Sequence, residues 1–421
     1  MIRLRYGRGF VDFSIPEKWL VRQIEIERKK PILSLEEKLI DKLENPVGER
    51  PFSVWIKDFE KVLVIVPDIT RYAGVCLILP LIYRKYLKGK DVTILFALGN
   101  HRKHSESEKM EILGEEIYKS VPSKDHDCYD DRELTFFGYT SSKVPVYLNR
   151  LVRICDCLVV FGSINFHYLA GFGGGRKALI PGIAGYETII GVHRTVFKEK
   201  GKHELARPGI LDGNPMHEEI ISGLKLIEKP MFLINTVVEE KDIVAIFCGN
   251  IEKAHKRGCE WYLKEYSFEV EKKADVIIVS SGGYPKDINF IQTHKSMEHA
   301  IGGLKKDGYL ITVGACEDGI GNEHFLKFFE YGGIDEMEKA VRGSDKVYSQ
   351  TAYATRLKSE YCQIVLVSEL SEESVVKMGI IPKRTVDEAI KLIDDGREKL
   401  CYIIPDGSQT LLLYGGGKNG V

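Results

Sequence analysis

Apolar, β-branched runs that halt abruptly at glycine or proline recur along this chain, and that recurrence limits what it can fold into. Lys61–Val66 stops at Pro67-Asp68, Asp91–Leu98 at Gly99, and Leu151–Phe161 at Gly162-Ser163. Continuous runs without polar alternation suit strands buried on both faces, as in a parallel sheet. Helical stretches lie between them. Cys76–Leu87 reads as one, and Ser105-Glu106-Ser107-Glu108 is a capping box that opens another. This β–loop–α alternation predicts an α/β fold of two domains with largely parallel sheets around an interdomain cleft.

Along the chain, Leu4–Tyr6 and Phe10–Phe13 form a hairpin, and Ser34–Leu43 a helix ended by Asn45-Pro46-Val47-Gly48. Tyr186–Phe197, Asn214–Leu226 and Ile251–Tyr266 are helical, with a strand pair at Met231–Val238 and Ile243–Phe247. A second unit begins near residue 268. Asp275–Ser280, Gly308–Val313, Gln363–Val367 and Leu400–Ile404 are its strands, and His294–Leu304 a helix. We therefore expect domains at 1–268 and 269–421, the closing QTLLLYGG returning to the first domain as an added strand. A length of 421 residues is ample for two such cores.

Sixty basic residues against sixty-one acidic ones argue against a nucleic-acid or anionic-membrane partner. The alternating MIRLRYGRGFVDF start reads as strands, not as a signal peptide, and no run reaches membrane-spanning length. The nine cysteines are scattered, with no CxxC pair, which points to reduced thiols and a cytoplasmic location.

The loops at the strand ends carry the chemistry. Residues 161–194 read FGSINFHYLAGFGGGRKALIPGIAGYETIIGVHR. Glycines after a strand leave backbone N–H groups bare for an anion, so Gly173, Gly174 and Gly175 are candidate cofactor contacts, with Arg176 and Lys177 adding charge. The spacing fits neither the Walker nor the dinucleotide-binding pattern. A surface turn with solvated basic residues is the plain alternative. The company tells against it: Pro67-Asp68-Ile69-Thr70-Arg71, Gly99-Asn100-His101-Arg102-Lys103 and Gly283-Tyr284-Pro285-Lys286-Asp287 also sit at strand ends, where open α/β sheets bind ligands.

Together, PDITR, GNHRKHSE, FHYLAGFGGGRKALIPGIAG and GGYPKDINFIQTHK resemble the nickel-dependent lactate racemase family, in order and over nearly the whole chain. The resemblance implies a nickel-pincer nucleotide (Ni(II) pyridinium-3-thioamide-5-thiocarboxylic acid mononucleotide) bound covalently to Lys177, with His193 as the protein ligand to nickel. It implies His101 and His167 as acid/base histidines, and Gln292 and Lys295 as substrate contacts from the second domain. Asp68 and Arg71 join the substrate set, and Thr70 the cofactor set. The partners implied are a small 2-hydroxy acid and the enzymes that mature the cofactor. The oligomeric state is not legible.

Racemising a 2-hydroxy acid requires breaking and remaking the C2–H bond. That proton is too weakly acidic for unaided abstraction, whereas loss of hydride gives a planar 2-keto acid open to return on either face. A hydride acceptor and two bases for the hydroxyl proton then suffice, and imidazole titrates near working pH. His104 reads as solvent-facing or as a support for His101. Lys286 reads as structural. Two departures from the family pattern, Leu169 and Ile291 in place of aromatic residues, suggest a roomier substrate pocket. The competing enzyme reading is a phosphate-dependent transferase or hydrolase built on GGGRK; a nucleotide-binding sensor without turnover ranks last.

Overall fold

In the computed structural model, which describes residues 1–346 and 348–415, the apolar runs become the middle strands of two six-stranded sheets. Contacts divide the chain into one unit of Arg28–Lys264 and another of Met1–Glu27 with the described part of Glu265–Val421.

In the Arg28–Lys264 unit the strands lie in the order Asp242–Gly249, Met231–Glu239, Cys157–Ser163, Lys61–Pro67, Asp91–Ala97, Ser123–Asp125. All neighbours are parallel except the first two, which form the expected hairpin. Every residue of Lys61–Pro67 after Lys61 is buried, as a two-sided strand requires. Val62, Val64, Val66, Phe96, Val159 and Phe161 pack on helical Leu39, Leu43, Phe52, Ile78 and Leu79. Ser105 caps the helix Glu106–Leu113 with both bonds of the capping box made. The run Leu151–Phe161 is not one strand: Leu151–Ile154 is a helical turn, and the strand starts at Cys157. Short apolar runs do not distinguish strand from helix by periodicity.

The other sheet runs Ile381–Lys383, Gln363–Val367, Leu304–Val313, Ala274–Ser280, Leu400–Ile404, Leu20–Gln23, all parallel. Two expectations are corrected here. Residues Met1–Glu27, assigned to the first domain, belong to this unit: Leu20–Gln23 pairs with Leu400–Ile404, and Leu4, Phe13 and Trp19 share a core with Val276, Ile278 and Val365. The closing strand does not return to the first domain. Leu411–Tyr414 pairs with Ser267–Val270 in this same unit, and the bare glycines Gly302 and Gly303 let Leu412 pack closely. All nine cysteines are free, and no described helix is long and apolar enough to cross a membrane.

Phe13 is 2% exposed, so Phe13→Ala should remove about 3–5 kcal/mol from the unit that contains it. Urea unfolding followed by Trp19 emission, with Trp55 and Trp261 replaced by Phe, checks this; an unchanged midpoint would refute the packing of the N-terminal segment.

Candidate active site

Chain order reverses across the sheet of the Arg28–Lys264 unit between Cys157–Ser163 and Lys61–Pro67, because the path runs outward from Lys61–Pro67 to Asp91–Ala97 and returns on its other side. At such a switch point adjacent loops diverge and leave a crevice at the carboxyl ends of the strands. The loops of Asp68–Arg71, His101–His104 and His167–Lys177 all leave from that end.

Asp68, 3% exposed, is the hub of the first loop. One carboxylate oxygen accepts the Thr70 N–H at 2.8 Å and the Thr70 hydroxyl; the other accepts Arg71 Nη1 and lies 3.3 Å from His101 Nδ1. Burial opposes charge on Asp68, but Arg71, His101 and Thr70 outweigh it and hold the carboxyl below its ordinary range. A carboxylate on Nδ1 fixes the ring of His101 and leaves Nε2 as its working nitrogen. His104 is not solvent-facing. Its side chain is 1% exposed, with Nδ1 2.8 Å from Asp125 and Nε2 accepting the Ile69 N–H at 3.1 Å.

The longer loop turns back at once: Phe166-His167 pairs antiparallel with Gly171-Phe172. Gly171 has φ +78°, and a Cβ there would lie 1.8 Å from the Ile210 carbonyl oxygen, so only glycine fits. His167 Nδ1 accepts the N–H groups of Leu169 (3.2 Å) and Ala170 (3.1 Å). The neutral ring therefore carries its proton on Nε2, 3.1 Å from Lys177 Nζ.

Two expectations about the glycine-rich stretch are corrected. Its N–H groups are not all bare: Gly173 donates to Asn165 O and Gly175 to Asn235 Oδ1, both at 2.8 Å. A Cβ on Gly175 would lie 2.0 Å from Leu233 Cδ1, so packing against the neighbouring strand demands this glycine. Gly174 is the one of the three whose N–H makes no hydrogen bond among the described residues. Arg176 does not face outward either. It is fully buried and donates to the carbonyls of Ala170 (3.0 Å), Phe172 (3.2 Å) and Gly173 (3.4 Å), to His217 Nδ1 (2.8 Å) and to His255 Nε2 (2.6 Å). Burial pulls its guanidinium down to about 10, still charged at neutral pH.

Lys177 follows on the short helix Arg176–Leu179, half-buried and without an ion pair among the described residues. Desolvation, then the charges of Arg176 and Arg71, push its amine well below the ordinary lysine value. His193, in the last turn of Tyr186–Arg194, is 6% exposed. Its Nδ1 donates to the Ile189 carbonyl at 2.8 Å, so Nε2 keeps its lone pair. Burial first, then Lys177, lowers it to about 4, and its charge in turn opposes protonation of His167. Lys177, His167 and His193 thus form one mutually repelling, proton-poor group.

In the other unit, Asn289 caps the helix Phe290–Ala300, which carries Gln292 and Lys295 on one face; Lys295 Nζ donates to Gln292 Oε1 at 2.5 Å. Lys286 is paired with Asp406 at 2.6 Å, a structural contact. Leu169 is 1% exposed, packed in the core, and its carbonyl accepts Asn214 Nδ2. The expectation that Leu169 shapes a substrate pocket is therefore withdrawn. Sequence reasoning missed Asn235, His255 and His217, which hold Gly175 and Arg176. Asn235 had a signal, a lone amide inside the apolar strand MFLINTVVE.

Residues 6–204 match the lactate racemase N-terminal domain and residues 270–412 the lactate racemase C-terminal domain. The chain is 30% identical to the lactate racemase of Thermoanaerobacterium thermosaccharolyticum, covering 98% of this chain and 99% of that one. It is 29% identical to the lactate racemase of Lactiplantibacillus plantarum, over 89% and 90% of the two chains. The structure of the lactate racemase apoprotein from T. thermosaccharolyticum superposes with a TM-score of 0.87 at 28% identity, covering 98% of this chain and 99% of that one. A Thermotoga maritima crystal structure at TM-score 0.64 and 20% identity, over 90% and 98% of the chains, shares the fold alone. With both domains matched and a relative this similar along its whole length, the chain belongs to the lactate racemase family and is an isomerase of the racemase class.

Proposed function

We propose that this enzyme racemises 2-hydroxy acids, lactate among them, using a nickel-pincer nucleotide carried on Lys177. The observation that carries the proposal is the desolvated Lys177 amine, hydrogen-bonded to His167 Nε2, with the open Nε2 of His193 in the same proton-poor group. Covalent attachment through nitrogen needs a neutral amine, and this environment favours one. Imidazole suits nickel. Among the described residues no group of three or more His, Cys, Asp or Glu is placed to hold a metal, so nickel at His193 would take its remaining donors from the pincer. The residues fit the group.

When bound, the pincer nucleotide supplies a reversible acceptor for hydride from C2. The chain's own contribution is proton handling and positioning. His101 and His167 are both anchored through Nδ1 and present Nε2, His101 on a carboxylate and His167 on two backbone N–H groups. His101 therefore keeps an open lone pair on Nε2, while His167 has its Nδ1 lone pair committed and its proton on Nε2. His101, open at Nε2, is equipped to take the hydroxyl proton and His167, with Nε2–H, to give one; conversion in the reverse direction exchanges these two states. Arg71, half-free beside Asp68, suits the substrate carboxylate; Gln292 and Lys295 are assigned to substrate polar groups. Thr70 and Gly173–Gly175 remain assigned to the cofactor, with Gly174 N–H the donor left for it. Maturation enzymes supply the nucleotide, and free thiols suit a cytoplasmic setting. The alternative, a transferase or hydrolase using GGGRK for phosphate, loses its main cation, since Arg176 is spent on loop carbonyls.

A lysine held neutral in the native state binds fewer protons than the unfolded chain at every pH between its native and ordinary values. Native stability therefore rises with pH through that window and falls as pH drops from the ordinary lysine value toward the native one. Apoprotein Lys177→Met should show a shallower rise in urea midpoint between about pH 7 and about pH 10 and a higher midpoint at the low end; equal slopes would mean that the amine is charged.

Peptide mapping of active protein should find added mass on the peptide containing Lys177, and His193→Ala should lose nickel with its circular dichroism intact. Unmodified Lys177 in fully active enzyme overturns the mechanism. Full nickel occupancy in His193→Ala assigns that histidine to packing.

With Leu169 in the core, substrate breadth rests on Ile291, half-buried one residue before Gln292. An aliphatic wall there favours a longer substrate chain by about 0.8 kcal/mol per buried methylene, several-fold in kcat/KM. A panel of single-enantiomer 2-hydroxy acids of increasing length checks this. Lactate proving clearly the best substrate would remove Ile291 from specificity.

A further inference from the structure

His104 lies outside the acid/base set, yet it is bonded on every polar edge. Asp125 clamps it twice, accepting its backbone N–H at 3.0 Å through Oδ2 and Nδ1 at 2.8 Å through Oδ1. Lys109 stands 3.9 Å from the same carboxylate, which is 8% exposed. Phe96 packs edge-on against the ring at 4.9 Å. With Nδ1–H committed to Asp125, Nε2 has only a lone pair, and that lone pair accepts the N–H of Ile69.

Ile69 N–H belongs to the peptide group that joins Ile69 to Asp68. Fixing that peptide plane fixes the direction in which the Asp68 side chain leaves the strand end. Asp68 in turn meets His101 Nδ1 at 3.3 Å. The His101 backbone is tied separately, its N–H donating to Leu98 O at 2.9 Å. Its ring, 40% exposed at the side chain, has no partner to orient it other than Asp68 among the described residues. A one-ångström drift of Asp68 would thus release the ring without disturbing the fold.

We propose that His104 is a positioning residue: through Ile69 N–H it sets Asp68, and through Asp68 it sets the tautomer and orientation of His101. The proposal rests on the reading of His101 as an acid/base group only for its catalytic consequence; the relay itself is a property of the apoprotein. Gln is the conservative replacement, because its amide carries one donor and one acceptor at about the separation of the two ring nitrogens.

Nitrogen NMR of histidine-labelled apoprotein reads the relay. In the wild type, neutral His101 should carry its proton on Nδ1; in His104→Leu the signal should become a mixture of tautomers with circular dichroism unchanged. In holoenzyme, His104→Leu should lower kcat about a hundredfold, and His104→Gln should recover most of it. Retention of the Nδ1–H tautomer in His104→Leu, with kcat within about twofold of wild type, overturns the proposal. Should His104→Leu fail to fold, Asp125→Asn frees the imidazole from its fixed tautomer and must produce the same His101 signature, or the relay is refuted. Full activity in His101→Ala would instead defeat the acid/base reading while leaving the tautomer measurement to decide the relay.

Discussion

A buried guanidinium holds the centre of this enzyme together. Taking a charged arginine out of water costs several kcal/mol, and among the described residues no carboxylate is paired with it. Neutral acceptors do: three carbonyls from one tight loop and two imidazoles from two different helices. Ala170 O also accepts the Phe172 N–H at 2.9 Å, so at that carbonyl the guanidinium adds a second bond and ties the turn to its own helix. Arg176 therefore exchanges its own desolvation for the rigidity of residues 170–176, and Lys177 and His167 inherit fixed positions. His217 and His255 must stay neutral to accept from it. Burial, with Arg176 next, lowers His217 to about 3 and His255 well below the ordinary value.

The same positive charge, left unneutralised, biases its neighbours. Proton-poor groups collect on one side of the switch point, where Lys177, His167 and His193 oppose one another's protonation. The carboxylate of Asp68 sits on the other, accepting from Arg71 and facing His101. The fold thus keeps the proton-poor group and the Asp68 carboxylate on separate loops before any ligand arrives.

How much of this the sequence discloses depends on which physical signal each element leaves. Two-sided strands such as Lys61–Pro67 announce themselves through unbroken apolar runs, and Ser105 through its capping box. The candidate loops are legible because histidines and glycines gather at the ends of buried strands, although Gly171 and Gly175 are also demanded by close packing. Leu20–Gln23 is not legible: all four residues are exposed, so this edge strand has no buried face to pattern it. Arg176 beside Lys177 looks like surface charge, and nothing in the letters reveals that loop carbonyls turn inward to meet it. His104, three residues beyond His101, is distinguished only by Asp125 across the sheet.

The edge strand also bears on how the chain is made. Leu20 pairs with Leu400, so the earliest strand of this sheet waits for the latest one. The Arg28–Lys264 unit is continuous and can close on itself while translation proceeds. The unit it interrupts cannot, since its sheet lacks a partner for Leu20–Gln23, and its core a partner for Phe13, until the far end emerges. Nascent chains stalled after residue 264 would therefore carry a finished glycine-rich loop and an N-terminal hairpin with its apolar face uncovered.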